Sequence, residues 1–217
     1  MSSSADRPNP FYRVVRRLML GYFRLYHRIE FRGLEHIPSS GPFILVANHA
    51  SFLDPPAIGC ALRGRTIHYM ARDTLMKLRP VKVAMRWMGV IPIDRNRGDV
   101  GALKSALKLL KEGGSLGLFP EGTRTLDGNL QSPKAGIGFL VVKAGVPVVP
   151  AYIDGSFQAY SKKHRWIRPY KIVVSYGPPI EPAELGQTIG DKSAYETTAE
   201  LIMERIASAK TPKIASR

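Results

Sequence analysis

The chain has 217 residues, a length that fits one ordinary domain with a substantial hydrophobic core. Its 32 Lys and Arg residues against 17 Asp and Glu residues leave a formal net charge of +15, which favours an anionic partner such as nucleic acid, an acidic bilayer or a phosphorylated substrate. The single cysteine, Cys60, excludes an intramolecular disulfide and cysteine-based metal clusters, so we expect a reducing, cytoplasmic setting.

The first predicted element is an amphipathic helix that follows a polar tail. Residues 1–9 are polar and contain Ser and Pro, which predicts disorder. Residues 10–30 predict a helix, because at about 100° per residue the apolar side chains converge on one side and the arginines on the other. This pattern is typical of an interfacial helix whose apolar face enters lipid, although packing on the domain core is the alternative. The predicted apolar face comprises Phe11, Val14, Val15, Leu18, Met19, Tyr22, Leu25 and Tyr26.

Six short apolar runs that follow the helix predict β-strands. These runs cover residues 43–47, 67–70, 90–93, 115–119, 146–153 and 172–176. None approaches the roughly 20 apolar residues that a membrane-spanning helix needs. The N-terminus also lacks the layout of a secretory signal.

Helical patterns lie between these strands. Asp99 predicts the start of a helix that Gly113 ends, and Ser132-Pro133 predicts another that stops at Gly145. A last amphipathic stretch covers residues 194–209.

The alternation of strands and helices predicts the fold class. We expect a single α/β domain over residues 31–210, with a mostly parallel central sheet flanked by helices and preceded by the amphipathic helix. Residues 211–217 predict a C-terminal tail.

Residues 48–54, Asn-His-Ala-Ser-Phe-Leu-Asp, carry the first candidate chemistry and follow the first predicted core strand. His49 can accept a proton near neutral pH. Asp54 can return to its ring if the prolines that follow start a helix, and a carboxylate there fixes the tautomer and leaves the other nitrogen as a base. No nucleophile elbow accompanies the pair, so we infer that the nucleophile is a substrate hydroxyl. For the pair taken alone, a structural hydrogen bond is the alternative.

Two further segments, residues 89–95 and 146–153, resemble the first in following or forming apolar strands. The former ends in Arg95, whose planar guanidinium suits phosphate. The latter is apolar and marked by prolines, which indicates either the wall of an acyl channel or plain core.

Residues 119–125, Phe-Pro-Glu-Gly-Thr-Arg-Thr, form the remaining segment and also follow an apolar strand. Gly122 lets the backbone approach a ligand closely. Thr123 supplies a hydroxyl and Arg124 a second guanidinium for phosphate. For Glu121 two roles stay open: it binds substrate hydroxyls or braces the arginines.

In order and spacing, these four segments resemble the sequence blocks of the glycerolipid acyltransferases, specifically the 1-acyl-glycerol-3-phosphate acyltransferase family. NHASFLD is similar to the first block of that family, Asn-His-x4-Asp, GVIPIDR to the second, FPEGTRT to the third and VPVVPAYI to the fourth. The resemblance spans about residues 40–155. Two positions depart from the family pattern: Thr125 replaces a frequent Ser, and Pro92 replaces a frequent aromatic residue, which puts the acceptor preference in doubt.

The resemblance implies roles for individual residues. His49 would be the general base and Asp54 its orienting partner. Arg95 would bind the glycerol phosphate. Arg72 aligns loosely with a family lysine and is a candidate for an oxyanion or phosphate contact. The acceptor would also contact the third block through Glu121, Gly122, Thr123 and Arg124.

The resemblance also implies the activity: transfer of a fatty acyl group from acyl-CoA or acyl-carrier protein to the sn-2 hydroxyl of 1-acyl-glycerol-3-phosphate, giving phosphatidic acid. We expect neither a metal nor a bound cofactor, since the thioester is a co-substrate. The expected partners are this lysophosphatidic acid, the thioester donor and an anionic membrane surface, with the protein peripheral at the cytoplasmic face of the cell membrane. Nucleic acid is not expected, because the basic residues are spread without an RNP, KH or helix-turn-helix pattern.

Three alternatives remain at this point. In the first, the acceptor is another lysophospholipid or glycerol 3-phosphate. In the second, the protein is a non-catalytic module that binds anionic lipid. In the third, the protein is a hydrolase that uses His49 to cleave esters or thioesters.

Overall fold

The computed structural model describes residues 6–72, 79–93, 100–185 and 192–210, with the side chains of residues 72 and 135 excepted. Its strands are β1 (Glu30–Arg32), β2 (Phe43–Ala47), β3 (Ile67–Arg72), β4 (Ile91–Ile93), β5 (Ser115–Leu118), β6 (Val148–Asp154) and β7 (Val173–Tyr176). Its helices are α1 (Pro10–Tyr26), α2 (Asp54–Gly59), α3 (Arg79–Trp87), α4 (Val100–Lys111), α5 (Ala135–Ala144), α6 (Ser156–Tyr160) and α7 (Lys192–Ser208).

The seven strands form one sheet in the order β1-β7-β6-β2-β5-β3-β4. Neighbouring strands are parallel, except that β6 and β7 pair antiparallel. β2 lies between β5 and β6, so both of its edges are hydrogen-bonded. The single α/β domain with a mostly parallel sheet is therefore confirmed.

Burial of β2 on both faces divides the core into two layers. Phe43 and Leu45 point to one face and pack with Phe23 of α1 and Ile58 of α2. Ile44 and Val46 belong to the cluster on the other face. Because successive strand residues alternate between faces, a continuous apolar run is required where both faces are covered. The residues that α4, α5 and α7 bury against the second face include Ala106, Leu110, Leu140, Ile202 and Ile206.

All six predicted strands are present, with boundaries shifted by at most two residues. The helix predicted to start at Ser132-Pro133 begins instead at Ala135, because Lys134 before it is still extended with ψ 131°. The predictions did not include α3, α6 or β1, which are short or lie at the edge of the sheet.

The N-terminal region requires two corrections. The helix predicted over residues 10–30 ends at Tyr26, because Arg28 adopts a positive φ of 48° and turns the chain into β1. Part of the predicted disordered tail is packed against the domain: Asp6 is buried and its carboxylate pairs with Arg65 at 2.8 Å. Asn9 caps α1 by accepting the backbone N–H of Tyr12. Residues 1–5 and 211–217, the rest of the predicted tails, lie outside the described residues.

α1 packs on the core through one sector and leaves a second apolar sector exposed. Tyr12 and Phe23 are buried, whereas Leu18 is 65% and Leu25 is 88% exposed. The predicted apolar face is thus split, because its Met19 and Tyr22 pack against the core. Among the described residues, no helix combines the length and apolarity needed to cross a membrane.

Candidate active site

The site forms where β2 and β5 end, at the carboxyl edge of the parallel strands. Asn48 secures the first loop at this edge: its amide donates to the carbonyl of Ile153 at 3.0 Å and accepts the N–H of the same residue at 2.7 Å. These two hydrogen bonds hold the end of β2 beside the end of β6. The sequence analysis assigned no role to Asn48, and its direct proximity to His49 was the available signal.

His49 and Asp54 meet, as their spacing predicts. The ring Nδ1 of His49 lies 2.9 Å from Oδ2 of Asp54. The same oxygen accepts the backbone N–H groups of Ala50 and Ser51, each at 2.7 Å. Since a carboxylate with these donors can only accept, Nδ1 carries the ring hydrogen and Nε2 carries the lone pair. His49 is therefore held in the tautomer that a general base at Nε2 requires.

The start of α2 explains how Asp54 reaches the ring. Asp54 opens this helix, two prolines follow it, and its carboxyl is fully buried. A carboxylate in the first turn of a helix is stabilised by the N-terminal end of the helix dipole. The turn therefore positions Asp54 both for the helix and for His49.

The surroundings of His49 leave its ring half-enclosed. It stacks on Phe119 with the ring centroids 4.2 Å apart, and its side chain is 18% exposed. Contact with an aromatic face on one side leaves the opposite side of the imidazole for a substrate.

The hydroxyl and thiol groups nearest in sequence are structural. Ser51 is buried; its hydroxyl donates to the carbonyl of Tyr160 at 2.6 Å and accepts the N–H of Leu53. Burial raises the pKa of Cys60 to about 12, so its thiol stays protonated at neutral pH. Neither group is placed to act as a nucleophile.

Residues 119–125 brace the peptide of His49 from both sides. Oε1 of Glu121 accepts the backbone N–H of His49 at 2.8 Å, and the N–H of Thr125 donates to the carbonyl of His49 at 2.8 Å. Glu121 is buried, and this burial is the main cause that raises its pKa to about 7. Glu121 thus holds the backbone of the general-base candidate, a contact that was not among the two roles considered for it, and its binding of substrate hydroxyls stays a prediction.

Gly122, Thr123 and Arg124, between Glu121 and Thr125, are less buried than these two residues. Gly122 has a positive φ of 67°, and a Cβ there would lie 3.0 Å from the side chain of Lys134. Thr123 is exposed. Arg124 lies over Phe52, with Cζ 3.5 Å from the ring centroid, which supports the guanidinium by a cation–π contact.

Lys162 joins this loop although the sequence analysis did not single it out. Its Nζ donates to the carbonyl of Arg124 at 2.7 Å and to the hydroxyl of Thr123 at 3.1 Å. The sequence gives no signal of this contact, because Lys162 is far from Thr123 and Arg124 in the chain and is not part of a motif.

Two predicted site residues are not placed, and one predicted segment is core. Arg95 lies outside the described residues, and Arg72 ends β3 with a side chain that is not described. Val148 and Val149 of the fourth segment are fully buried, in the clusters on opposite faces of the sheet. Of the alternatives for that segment, its contacts are those of core. Within the described ranges, no three or more His, Cys, Asp and Glu side chains are grouped to hold a metal ion.

Comparison with known proteins identifies a matching family and several relatives. A family model described as Acyltransferase matches residues 28–154. The 1-acyl-sn-glycerol-3-phosphate acyltransferase alpha of Homo sapiens is 35% identical over 171 residues, which are 76% of this chain and 60% of that protein. The chloroplastic enzyme LPAT1 of Arabidopsis thaliana is 38% identical over 134 residues, 60% of this chain and 37% of that protein.

Similarity extends to a solved structure. The crystal structure of the 1-acyl-sn-glycerophosphate (LPA) acyltransferase PlsC from Thermotoga maritima superposes with a TM-score of 0.78 at 26% identity, covering 95% of this chain and 81% of that one. The chain spans less than two thirds of the length of the plant and human relatives.

Proposed function

The chain belongs to the Acyltransferase family, and from this premise we propose that it transfers a fatty acyl group from a thioester to the sn-2 hydroxyl of 1-acyl-glycerol-3-phosphate, producing phosphatidic acid for phospholipid biosynthesis. The observation that carries the proposal is the His49–Asp54 pair at 2.9 Å, with Nε2 left as the basic nitrogen. The choice of acceptor is supported by the human, plant and Thermotoga relatives, which are all named as acyltransferases of 1-acyl-glycerophosphate.

The chemistry is a direct transfer between two bound substrates. Nε2 of His49 takes the proton of the acceptor hydroxyl as its oxygen attacks the thioester carbonyl carbon. The new C–O bond forms, the C–S bond breaks, and the proton passes from His49 to the departing thiolate. Asp54 stabilises the imidazolium that exists between these events. The structural roles of Ser51 and Cys60 support a route without an acyl-enzyme.

Cations at the site position the acceptor phosphate. Arg124, stacked on Phe52, offers a guanidinium beside the exposed hydroxyl of Thr123. We propose that Arg95 supplies the second guanidinium and that the backbone at Gly122 approaches the phosphate. A held phosphate places the neighbouring hydroxyl against His49, which lowers the barrier through orientation. Arg72 is our candidate for the oxyanion or for a phosphate contact, and Glu121 acts on the acceptor through the position of His49.

The donor and the setting complete the proposal. Either acyl-CoA or acyl-carrier protein fits as the anionic thioester donor, and the mechanism requires no bound cofactor. We propose that the protein acts as a peripheral protein at the cytoplasmic face of the cell membrane. Support comes from the exposed apolar stripe of α1, formed by Phe11, Val14, Leu18 and Leu25, beside the exposed arginines Arg13, Arg17 and Arg24. An apolar stripe flanked by basic residues is typical of helices that lie in the lipid interface.

The decisive experiment replaces the general base. His49→Ala should lower kcat by roughly 10²–10⁴-fold, because proton transfer in the transition state is lost. The assay follows labelled acyl thioester with lysophosphatidic acid, and circular dichroism checks the fold. His36→Ala serves as the matched control, since this ring hydrogen-bonds the backbone carbonyl of Tyr176 at 2.8 Å and follows β1, at the edge of the sheet opposite the candidate site.

Three outcomes would contradict the proposal. Wild-type turnover by His49→Ala would remove the general base. Free fatty acid released at the same rate without acceptor would indicate a hydrolase. Absence of transfer to lysophosphatidic acid, with transfer to glycerol 3-phosphate or another lysophospholipid, would change the acceptor.

A further inference from the structure

Large apolar side chains are exposed around the mouth of the site. β2, β5 and β6 are parallel, so the segments that follow them lie at one edge of the sheet. β7 runs antiparallel to β6, and β1 is parallel to β7, so the segments that precede β7 and β1 lie at the same edge. The exposed large hydrophobic residues of these four segments include Leu25, Tyr26, Phe52, Leu126, Leu130, Trp166, Ile167 and Tyr170.

The most exposed aromatic residue of this edge, Trp166, lies in a strongly basic loop. We define the basic loop as residues 162–171, Lys-Lys-His-Arg-Trp-Ile-Arg-Pro-Tyr-Lys, which contains five Lys or Arg residues and no acidic one. Trp166 is 74% exposed. Trp and Tyr among Lys and Arg are enriched where proteins meet the membrane–water interface, because one end of each side chain is apolar and the other polar or charged.

The basic loop is fixed at its ends while its apolar tip is exposed. At one end Lys162 donates to the carbonyl of Arg124, in the candidate acceptor site. At the tip the hydroxyl of Tyr26 donates to the carbonyl of Ile167 at 3.1 Å, and just after it the N–H of Arg168 donates to the carbonyl of Ala159 at 2.9 Å. At the other end Nζ of Lys171 pairs with the carboxylate of Glu30 at 2.7 Å. The loop therefore connects the candidate site to the C-terminal end of α1.

These contacts make the exposed groups one continuous surface. Tyr26 and Leu25 of α1 adjoin the tip through the bond to Ile167. On the other side, Arg124 and the Phe52 ring that it covers adjoin Lys162. A contiguous apolar patch of this kind marks an interaction site, whereas single exposed apolar residues are common on protein surfaces.

We propose that the basic loop is a second membrane-contact element, which inserts Trp166 and Ile167 into the interface of an anionic bilayer beside the end of α1 and so opens the His49 site directly toward the lipid. The identity of the lipid acceptor rests on the proposed function; the contact with the bilayer does not. The positive charge of the loop complements anionic headgroups. The apolar tip adds burial in the interface that a purely electrostatic contact with an acidic protein would not need.

The first experiment measures binding without any activity. Trp166→Ser combined with Ile167→Ser should lower the partition coefficient of the full chain onto phosphatidylcholine–phosphatidylglycerol vesicles by about tenfold or more. The reason is that two large apolar side chains are no longer transferred from water into the bilayer. Leu34→Ser is the matched control, because Leu34 is 44% exposed and follows β1 at the opposite edge of the sheet. Equal partitioning of the double variant and the wild type would overturn the proposal, as would an equal loss with Leu34→Ser.

A second measurement keeps the loop intact. The chain has two tryptophans, so Trp87→Phe leaves Trp166 as the sole indole reporter. Its emission should shift to shorter wavelength when anionic vesicles are added and shift less with vesicles of phosphatidylcholine alone. An emission spectrum that stays that of water-exposed indole would overturn the proposal even if the double variant failed to fold.

Activity assays separate the contact from the reaction. The double variant should keep wild-type kcat/KM toward a short-chain, water-soluble lysophosphatidic acid and lose activity toward acceptor embedded in vesicles. If no acceptor is acylated by the wild type, the proposed function fails while the vesicle measurements still test the loop. A raised KM for acyl-carrier protein with unchanged vesicle binding would show that the loop docks an acidic protein instead.

Discussion

The backbone of His49 is held as closely as its ring. Asp54 fixes the imidazole, while Glu121 and Thr125 occupy the N–H and the carbonyl of the same residue. Asp54 lies in the segment that follows β2, whereas Glu121 and Thr125 both lie in the loop that follows β5. The geometry around His49 therefore depends on two segments of the chain. A change at Glu121 or Thr125 will therefore alter the position of the base through its backbone and not through its ring.

Glu121 gives a prediction about pH at this residue scale. Burial raises its pKa to about 7, so from about pH 4.3, the unfolded value, to about pH 7 the folded protein keeps a proton that the unfolded chain releases. The free energy of unfolding should fall as the pH rises through that window. Glu121→Gln keeps an oxygen acceptor for His49 and cannot titrate, so its stability should fall less. Urea unfolding of both proteins between about pH 5 and about pH 8 measures the difference, and parallel curves would contradict it.

At the scale of elements, the parallel sheet gathers loops that are far apart in sequence. β2 and β5 are neighbours, so the segments after them meet although about 70 residues separate His49 from Glu121. Gly122 then allows the second loop to turn back, since its positive φ of 67° suits glycine and strains other residues. Loop conformation, and not only side-chain identity, decides whether the brace on His49 forms.

Gly122→Ala tests that dependence. The left-handed conformation costs an alanine about 1–2 kcal/mol, and the added Cβ would lie 3.0 Å from Lys134. We expect a melting temperature lower by a few degrees and a several-fold lower kcat, because the loop that braces His49 shifts. Gly136→Ala is the matched control: its φ is not positive and a Cβ there meets nothing within 4 Å. Unchanged kcat in Gly122→Ala, or an equal loss in Gly136→Ala, would contradict the role of the turn.

At the scale of the whole molecule, α1 is part of the domain and not a detachable anchor. Phe23 is fully buried in the core, the hydroxyl of Tyr12 accepts the N–H of Ile67, and Asp6 pairs with Arg65. Truncating the chain through α1, which also removes Asp6, would expose this core and leave the buried charge of Arg65 without its carboxylate partner, at a cost of about 3–5 kcal/mol for the ion pair alone. Substitutions on the exposed stripe are therefore the sharper test of membrane contact.

Val14→Ser combined with Leu18→Ser should weaken binding to anionic vesicles by about tenfold while leaving the melting temperature nearly unchanged, because both side chains are exposed, at 54% and 65%. Flotation with vesicles measures the partition, and Leu34→Ser again controls for loss of an exposed apolar residue. If binding persists at the wild-type level, the stripe is not a lipid contact.

The sequence alone determined the fold class, the six core strands and the His49–Asp54 pair. These are local properties: apolar runs report burial on both faces of a strand, and a five-residue spacing across a helix start brings the carboxylate back to the ring. The four sequence blocks of the family were likewise recognised from the order of the residues alone. Apolar patterns and short spacings in the sequence therefore predict most of the elements that position the candidate site.

Tertiary structure decided what depends on contacts between distant segments. β1, Glu-Phe-Arg, has no apolar run to predict it and pairs with the edge of β7. The sequence placed Met19 and Leu18 on one face of α1, yet the core takes the first and leaves the second in solvent. The brace from Glu121 to the backbone of His49 and the contact of Lys162 with Arg124 carry no local pattern. Such contacts form because the sheet brings separate loops to one edge, and no periodicity in the chain records that meeting.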